Sequence, residues 1–455
     1  MKITIPVIIA MITAVVISLY SGSTAVMFFL FFFLLAGTIL ALLLSRGNRK
    51  EQSDLLSIFN LGYFVYMTMA LIANFAYNEI GSFYKYPDQN HFYEVASALG
   101  NSNSISAIFN LCFIDRVHIE QEGFYFLTGS LAYIANCFFD GNSVLFQIVN
   151  AAFVALLINL FIYKILLFYT NKTKAFKYTI LYMFCSYLLE YAPCVLRDMH
   201  IALLFTVGIY IIHLPFSVKR LLFLFIILPV AIELRLETGF FFSVFIFVYI
   251  FIKGNNYVYK NTLYVTTFVF IGFALFYFGQ NLIVRFGSIN KTLVHYLEYT
   301  QDAANETDGL GKILYALPNG IKQIAITMFS QMHPFPFWAP LSGDKSILQL
   351  VCSFPGTIAP LFWFYVVFSS FNQLKRSVSN SSLMLIFLLL SFLIFLLLNS
   401  SNINTRRLVC MYPVLYAFFV QSQFVLTKKE IKNQKLQYVC VYSLLLFLYL
   451  VMKFL

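Results

Sequence analysis

The sequence predicts an all-α polytopic membrane protein: one integral membrane domain over residues 1–455 with about 13 transmembrane helices. Three observations predict it. Of the residues, 60% are apolar and 11% charged, against about 25% charged in soluble domains. Apolar stretches of near 20 residues recur, where a barrel would show ten-residue alternating segments. Short loops at 45–53, 169–177, 216–220, 253–260, 371–377 and 427–436 hold 16 of the 30 Lys and Arg, with Glu51 and Glu430 as their acids. Basic loops recurring on one side mark the cytoplasmic face. The net charge of +11 therefore sets topology and calls for no nucleic-acid partner.

Taken in order, the predicted spans are 3–20, 25–44, 55–77, 143–168, 178–194, 201–215, 221–232, 240–252, 261–284, 346–370, 381–398, 408–426 and 437–454. The first two form an N-terminal helical hairpin (3–44) joined through the turn "SGST". The run from Ile3 reads as a retained helix and not a cleaved signal. The core covers 55–425, and 437–454 is a terminal helix. Two outer segments, 78–142 and 285–345, are long enough to carry function. Within them "EGFYFLTGSLAYIANCFF" (122–139) and "DGLGKILYALPNGIKQIAITMF" (308–329) read as helices lying along the outer interface or packed on the bundle. Apart from Glu51, Asp54 and Glu430, every acid falls in or beside an outer segment, so the chemistry faces outward. The seven cysteines show no CxxC pair and read as packing residues; Cys112 and Cys137 are the pair that a disulfide would join.

Length places charges below the outer surface. Residues 221–252 hold a hairpin between basic loops in 32 residues, where two crossings take roughly 40. From Leu221 to Ile232 a helix rises about 18 Å. The turn "ELRLETG", with Glu233, Arg235 and Glu237, is therefore recessed. One long tilted helix would instead move Lys253 and Lys260 outside. The tip "CVLRDMH" of 178–215, with Arg197, Asp198 and His200, obeys the same arithmetic. A third tip, "NSSNINTRRLVCMYP", carries Arg406 and Arg407. Each arginine alone could snorkel or pair with a nearby acid. Three such tips on one side suggest a cationic cavity for a lipid-linked phosphate or diphosphate, which the guanidinium fork grips while staying charged. In "YKYPDQNHFYEVASAL" (84–99), Asp88 begins an amphipathic helix with His91 and Glu94 on following turns. A helix cap is the plain reading, and the chain has no DxD motif that would support a metal.

These stretches, with "EGFYFLTGSLAYI", "NSVLFQIVNAAFVALLINLFIYKI", "YAPCVLRDMHIALLF", "LRLETGFFF", "MHPFPFWAP" and "NTRRLVCMYPVLYAF" following in order, resemble the GT-C superfamily of polytopic glycosyltransferases. The nearest likeness is to the Wzy and EpsG type of O-antigen or capsular polysaccharide repeat-unit polymerase, over about residues 55–425. The resemblance implies a GT-C-like fold in a bacterial inner membrane. It also implies transfer of an undecaprenyl-diphosphate-linked oligosaccharide to an acceptor sugar hydroxyl at the periplasmic face, with inversion and with no metal or cofactor. Membrane lipid, a chain-length regulator and a flippase are the partners that it implies. Asp88 matches the first-loop acid, Arg197 and Asp198 the polymerase tip, Arg235 the middle tip and Arg406 or Arg407 the last. Asp88 is the first candidate base and His333 the second. The arginines would stabilise the departing diphosphate, Glu233 and Glu237 would orient Arg235, and Tyr84, Tyr86, Tyr125 and Trp338 would stack on sugars or anchor the interface. Asp88 is followed by Gln89 where the lipid-monophosphate branch has an acidic pair. A single-sugar transferase with a polyprenyl-monophosphate donor, and a flippase or transporter for a lipid-linked oligosaccharide, are the competing readings.

Overall fold

The computed structural model describes residues 4–83, 85–115, 121–254, 257–286, 310–318, 320–377 and 405–454, with positions 294, 298 and 301. Its regular elements among these residues are all helical. In chain order they are α1 (Thr4–Ser21), α2 (Thr24–Ser45), α3 (Arg49–Ile80), α4 (Asp88–Gly100), α5 (Ile105–Phe109, continuing into a π turn), α6 (Glu122–Phe138), α7 (Val144–Leu166), α8 (Lys172–Cys185), α9 (Tyr187–Tyr191) and α10 (Arg197–His213). Then come α11 (Val218–Leu234), α12 (Leu236–Lys253), α13 (Lys260–Phe286), α14 (Leu310–Ala316), α15 (Ile321–Ser330), α16 (Ile347–Ser353), α17 (Pro355–Ser377), α18 (Tyr412–Val425) and α19 (Lys428–Phe454). Contacts divide the chain into two compact units, Met1–Leu275 with Gly343–Pro355, and Phe276–Ser342 with Gly356–Leu455.

Five stretches of described helix are long and apolar enough to cross a membrane: Thr24–Ser45, Arg49–Ile80, Val144–Leu166, Ile347–Ser370 and Lys428–Val451. An all-helical chain with this many such helices suits a multi-pass membrane protein. The shorter predicted spans are helices too, but short ones, because polar tips consume part of their length. The predicted span 178–194 is broken: α8 stops at Cys185, Ser186 is extended, and α9 lasts one turn. The predicted span 381–398 lies outside the described residues. The hairpin drawn for 221–252 is present, with Arg235 extended between α11 and α12. Gly239 lets its arms close, since a Cβ there would sit 2.5 Å from the Ile232 Cα. Cys112 and Cys137 are unbridged, the first buried and the second exposed.

In the first unit α7 is central, with 83% of its apolar window buried. Helices α1 and α2 pack beside α3 and turn Ile8, Ile12, Leu19, Phe32, Leu35 and Leu43 outward, a belt that suits lipid and not water. Inside, where apolar area gives no preference between helix and lipid, polar side chains join the helices. The Tyr63 hydroxyl donates to the Leu30 carbonyl at 2.8 Å. Asn159 donates to the Tyr66 hydroxyl at 3.1 Å, which in turn donates to the Met183 carbonyl. Each such bond contributes about 0.6 kcal/mol, enough to fix helix rotation.

Contacts define two ends of this unit. At one, Lys164 and Lys172 meet Glu51, Tyr163 bonds Asp54, and Tyr169 meets His213. This is the end of the basic loops 45–53 and 169–177. At the other lie the α3–α4 connection, the tips before α10 and α12, and the α6–α7 turn. Asp140 in that turn takes the Ser23 and Thr24 hydroxyls and the Ala25 N–H at 3.1, 3.0 and 2.9 Å. It thereby caps α2 from a distant part of the chain.

The second unit has its own core. Trp363 is buried, stacks on Tyr412 with centroids 3.6 Å apart, and donates to Gln331 at 3.0 Å. Met332, Phe364 and Tyr442 form a cluster that takes in Phe335 and Phe337. Gln434 bonds Gln423 and the Ser369 carbonyl, joining α17, α18 and α19. The apolar window of α19 is only 11% buried, as for a helix facing lipid along most of its circumference.

Asp140 generates a pH prediction. Partial burial raises its carboxyl, but the Ala25 N–H and the Thr24 and Ser23 hydroxyls outweigh that and hold it below the ordinary value. A depressed folded-state pKa gives stability that is present above the ordinary value, about 3.9, and is lost as pH falls through the folded one. Asp140→Asn should therefore destabilise the reconstituted protein at neutral pH by no more than about 1 kcal/mol, because the site is exposed, and thermal unfolding should show it. The difference from wild type should shrink towards nothing in acid; a difference constant with pH would refute the cap.

Candidate functional site

The broken helix builds the site. Ser186 ends α8 and caps α9, its hydroxyl taking the Leu188 N–H at 3.2 Å. Residues 192–196 then run non-helically to α10, almost wholly buried. Buried backbone with no helix needs partners. The Val195 N–H finds one in the Gln89 side-chain carbonyl at 2.8 Å, and Gln89 is itself 2% exposed. Helix α4 is thus fastened to the tip by Gln89.

Two ion pairs flank this bond. Asp198, in the first turn of α10, accepts from Arg235 at 2.8 Å, and their side chains are 3% and 8% exposed. The sequence offered Glu233 and Glu237 as neighbours that orient Arg235; Arg235 also has a carboxylate 37 residues back, on Asp198. On the other flank Glu190 receives Lys85 at 3.1 Å and the Tyr86 hydroxyl at 3.1 Å, both on the same carboxylate oxygen. Burial, and then the Glu190 charge, hold the Tyr86 phenol well above its ordinary range, so it stays protonated and donates. Lys345, near Lys85, is held below its ordinary value by burial and then by the Lys85 charge.

Helix α6 closes the arrangement. A Cβ at Gly123 would stand 3.0 Å from the carbonyl carbon of Glu233, so glycine there lets α6 rest on the Arg235 tip. Gly129 opposite Leu99, and Gly100 opposite Ala132, bring α6 equally close to α4. Phe92 meets Phe124 edge-on, and Phe124 meets the His200 ring. Of the two placements expected for 122–139, along the outer interface or packed on the bundle, the second is found: α6 packs on α4 and on the Arg235 tip.

The predicted site residues divide as follows. Arg197, half-buried, Asp198 and Arg235 come together with the α4 segment, and Glu233 lies at the same turn. Asp88, His91 and Glu94 are exposed on α4. Among the described residues no three His, Cys, Asp or Glu side chains converge as metal ligands. Tyr125 is buried between α4 and α6. Tyr84 and the side chains of Glu237 and Arg407 lie outside the described residues. His333, Trp338 and Arg406 belong to the second unit; His333 and Arg406 are half-buried and Trp338 is 39% exposed. The stretch "MHPFPFWAP" sends Phe335 and Phe337 into that unit's core, so of its aromatics Trp338 faces outward.

Glu190 and Lys85 were not singled out from sequence. The signal was present: an acid inside the apolar run 178–194, a placement that costs energy unless it is compensated. Its partner lies about a hundred residues away, beyond any local spacing rule.

No family model, curated protein or solved structure matches the chain. Fold and site together define a helical membrane protein with a buried, internally paired polar site at the end opposite its basic loops 45–53 and 169–177.

The Asp198–Arg235 pair makes a stability prediction. Removing one member takes the counter-charge from the other, so Asp198→Leu or Arg235→Met should each cost about 3–5 kcal/mol. Asp198→Leu with Arg235→Met should recover most of that. Thermal unfolding of the four proteins checks it, and additive losses in the double variant would contradict the pairing.

Proposed function

We propose that this chain is an inverting lipid-linked glycosyltransferase that polymerises surface-polysaccharide repeat units. It would join an undecaprenyl-diphosphate-linked glycan to an acceptor sugar hydroxyl at the periplasmic face of a bacterial inner membrane, with about 13 spans in a GT-C-like arrangement. The observation that carries the reading is the seating of α4 and α6 on two hairpin tips, which gathers Lys85, Glu190, Arg197, Asp198 and Arg235 at one end of the bundle. A headgroup attached to a membrane-borne tail would meet these groups from the side while the tail stayed in lipid. The opposite end of the first unit, closed by Glu51 with Lys164 and Lys172, favours a one-sided enzyme over a transporter.

As a sugar carbon loses its diphosphate, negative charge grows on the leaving oxygens and positive charge on the ring. Arg197, half-buried at the start of α10, is the arginine proposed to meet the leaving group, and Arg235, paired with Asp198, fixes the turn that carries it. Asp88, exposed at the start of α4, is the proposed base for the incoming hydroxyl. Attack opposite a single departing group inverts the anomeric carbon.

Deleting the gene and separating the cell's glycolipids tests the reaction. Loss of the ladder with retention of one-repeat material is the expected result. Loss of every species would point to flipping or assembly of the unit, and an unchanged ladder would exclude the reading. Arg197→Lys keeps the charge but loses the two-pronged grip, and should cut polymer formation roughly 10²-fold while the protein still folds. Normal polymer from that variant would remove Arg197 from the reaction.

A further inference from the structure

The last helix carries its charge where a helix least tolerates it. Helix α19 opens with Lys428 and Lys429, and Lys432 and Lys435 follow on its next turns; all four are exposed. Like charges three or four residues apart repel on a helix surface, and the positive end of the helix dipole repels cations in the first turn. Compensation within the chain is scarce. Residues 356–455 contain nine Lys and Arg against one acid, Glu430. Its carboxylate serves the turn before α19, where Oε2 accepts from the Thr427 N–H and hydroxyl at 2.9 Å each. Among the described residues none of the four lysines has an ion pair, whereas Lys164 and Lys172 of the first unit share Glu51.

The rest of the helix shows what lies beside them. Leu436, Val439, Leu444 and Phe447 are each more than half exposed, so a lipid-facing side begins at the residue after the last lysine. From Lys428 to Lys435 the axis advances about 10 Å, enough to span the headgroup layer that borders the hydrocarbon. We propose that this end of α19 is a docking surface for anionic phospholipid, with the phosphates of the adjoining leaflet as counter-ions to the four lysines. Lysine suits that partner, since a flexible point charge with three donors can meet phosphates at varied positions. Basic clusters bordering a membrane helix draw anionic lipid in this way. A second copy or an acidic protein suits the surface less, because the lysines run directly into a face that lipid solvates. The inference concerns the second unit alone and does not rest on the transferase reading.

Cys440 supplies a reporter: it is an exposed thiol, about 7.5 Å along the axis from Lys435. Full-length protein with Cys137→Ser and Cys185→Ser would carry a fluorophore on Cys440 in phosphatidylcholine nanodiscs. These would contain the same minor fraction of brominated phosphatidylglycerol or of brominated phosphatidylcholine. The anionic quencher should act as though enriched about fivefold around the helix, the factor that one lysine near an anionic surface supplies. Salt at about 0.5 M should reduce the enrichment. Glutamine at all four lysine positions should abolish it, and arginine at all four should keep it. Equal quenching by the two lipids in the wild-type protein, or undiminished enrichment in the glutamine variant, would overturn the assignment. Quenching by neither lipid would mean that protein covers the helix, and would overturn it too. In phosphatidylcholine alone the glutamine variant should unfold no more readily than wild type, since it relieves the repulsion. Lower stability there would mean that the lysines serve the fold and not a lipid.

Discussion

Backbone amides that leave a helix below the membrane surface must find protein partners, since no water is there to replace the lost bonds. Buried non-helical backbone meets the same constraint wherever water is excluded, and residues 186–196 are where this chain meets it. Ser186 supplies a side-chain cap, the Cys194 and Leu196 amides bond within the turn, and the Val195 amide reaches Gln89. The last bond makes α4 an obligatory part of the tip. A loop fastened at that point brings Lys85 and Tyr86 with it, four and three residues before Gln89 in the chain, so the Glu190 cluster follows from the same backbone requirement. Function built on this end therefore shares its scaffold with stability.

Charge compensation is the second organising feature. Four tips and loops bring acids and bases together, yet Arg235 has Asp198 and Lys85 has Glu190. Desolvating an ion costs several kcal/mol, and a well-placed counter-ion returns most of it. The open cationic hollow expected from the arginine count is thus partly neutralised. A pre-paired site costs little to keep when empty and stays rigid, which suits stabilisation of charge that develops only during reaction. It is a poor general anion trap, and selectivity then rests on ligands that bring both donors and acceptors.

Much of the architecture was legible because it follows from length and periodicity. The N-terminal hairpin, α3, α7 and the α11–α12 hairpin stand close to their expected bounds, since apolar runs of fixed length between basic loops leave few alternatives. The polar tips between them, which are buried, were legible for the same reason. What could not be read was pairing at a distance. Nothing in "CVLRDMH" names Arg235, 37 residues on, and nothing in "YLLEYAPC" names Lys85. Glu190 was concealed by its apolar neighbours, and the break at Ser186 by a residue that also sits comfortably inside helices. Gln89 looked like a departure from an acidic pair, whereas its neutral amide is what an orphan N–H of the next tip requires. The Pro-aromatic stretch near His333 read as an outer platform, but two of its three phenylalanine and tryptophan rings pack inward.

The proposed phosphate contact at Arg197 and the buried Lys85–Glu190 pair both hang on one short piece of chain. Glu190 lies on α9 and Arg197 opens α10, and the residues between them are buried and held by Gln89. Neither group can shift alone. The same coupling makes the site brittle. A substitution that loosens the Val195–Gln89 bond would disturb both contacts at once, whereas one in the outward faces of α1 or α19 would touch neither.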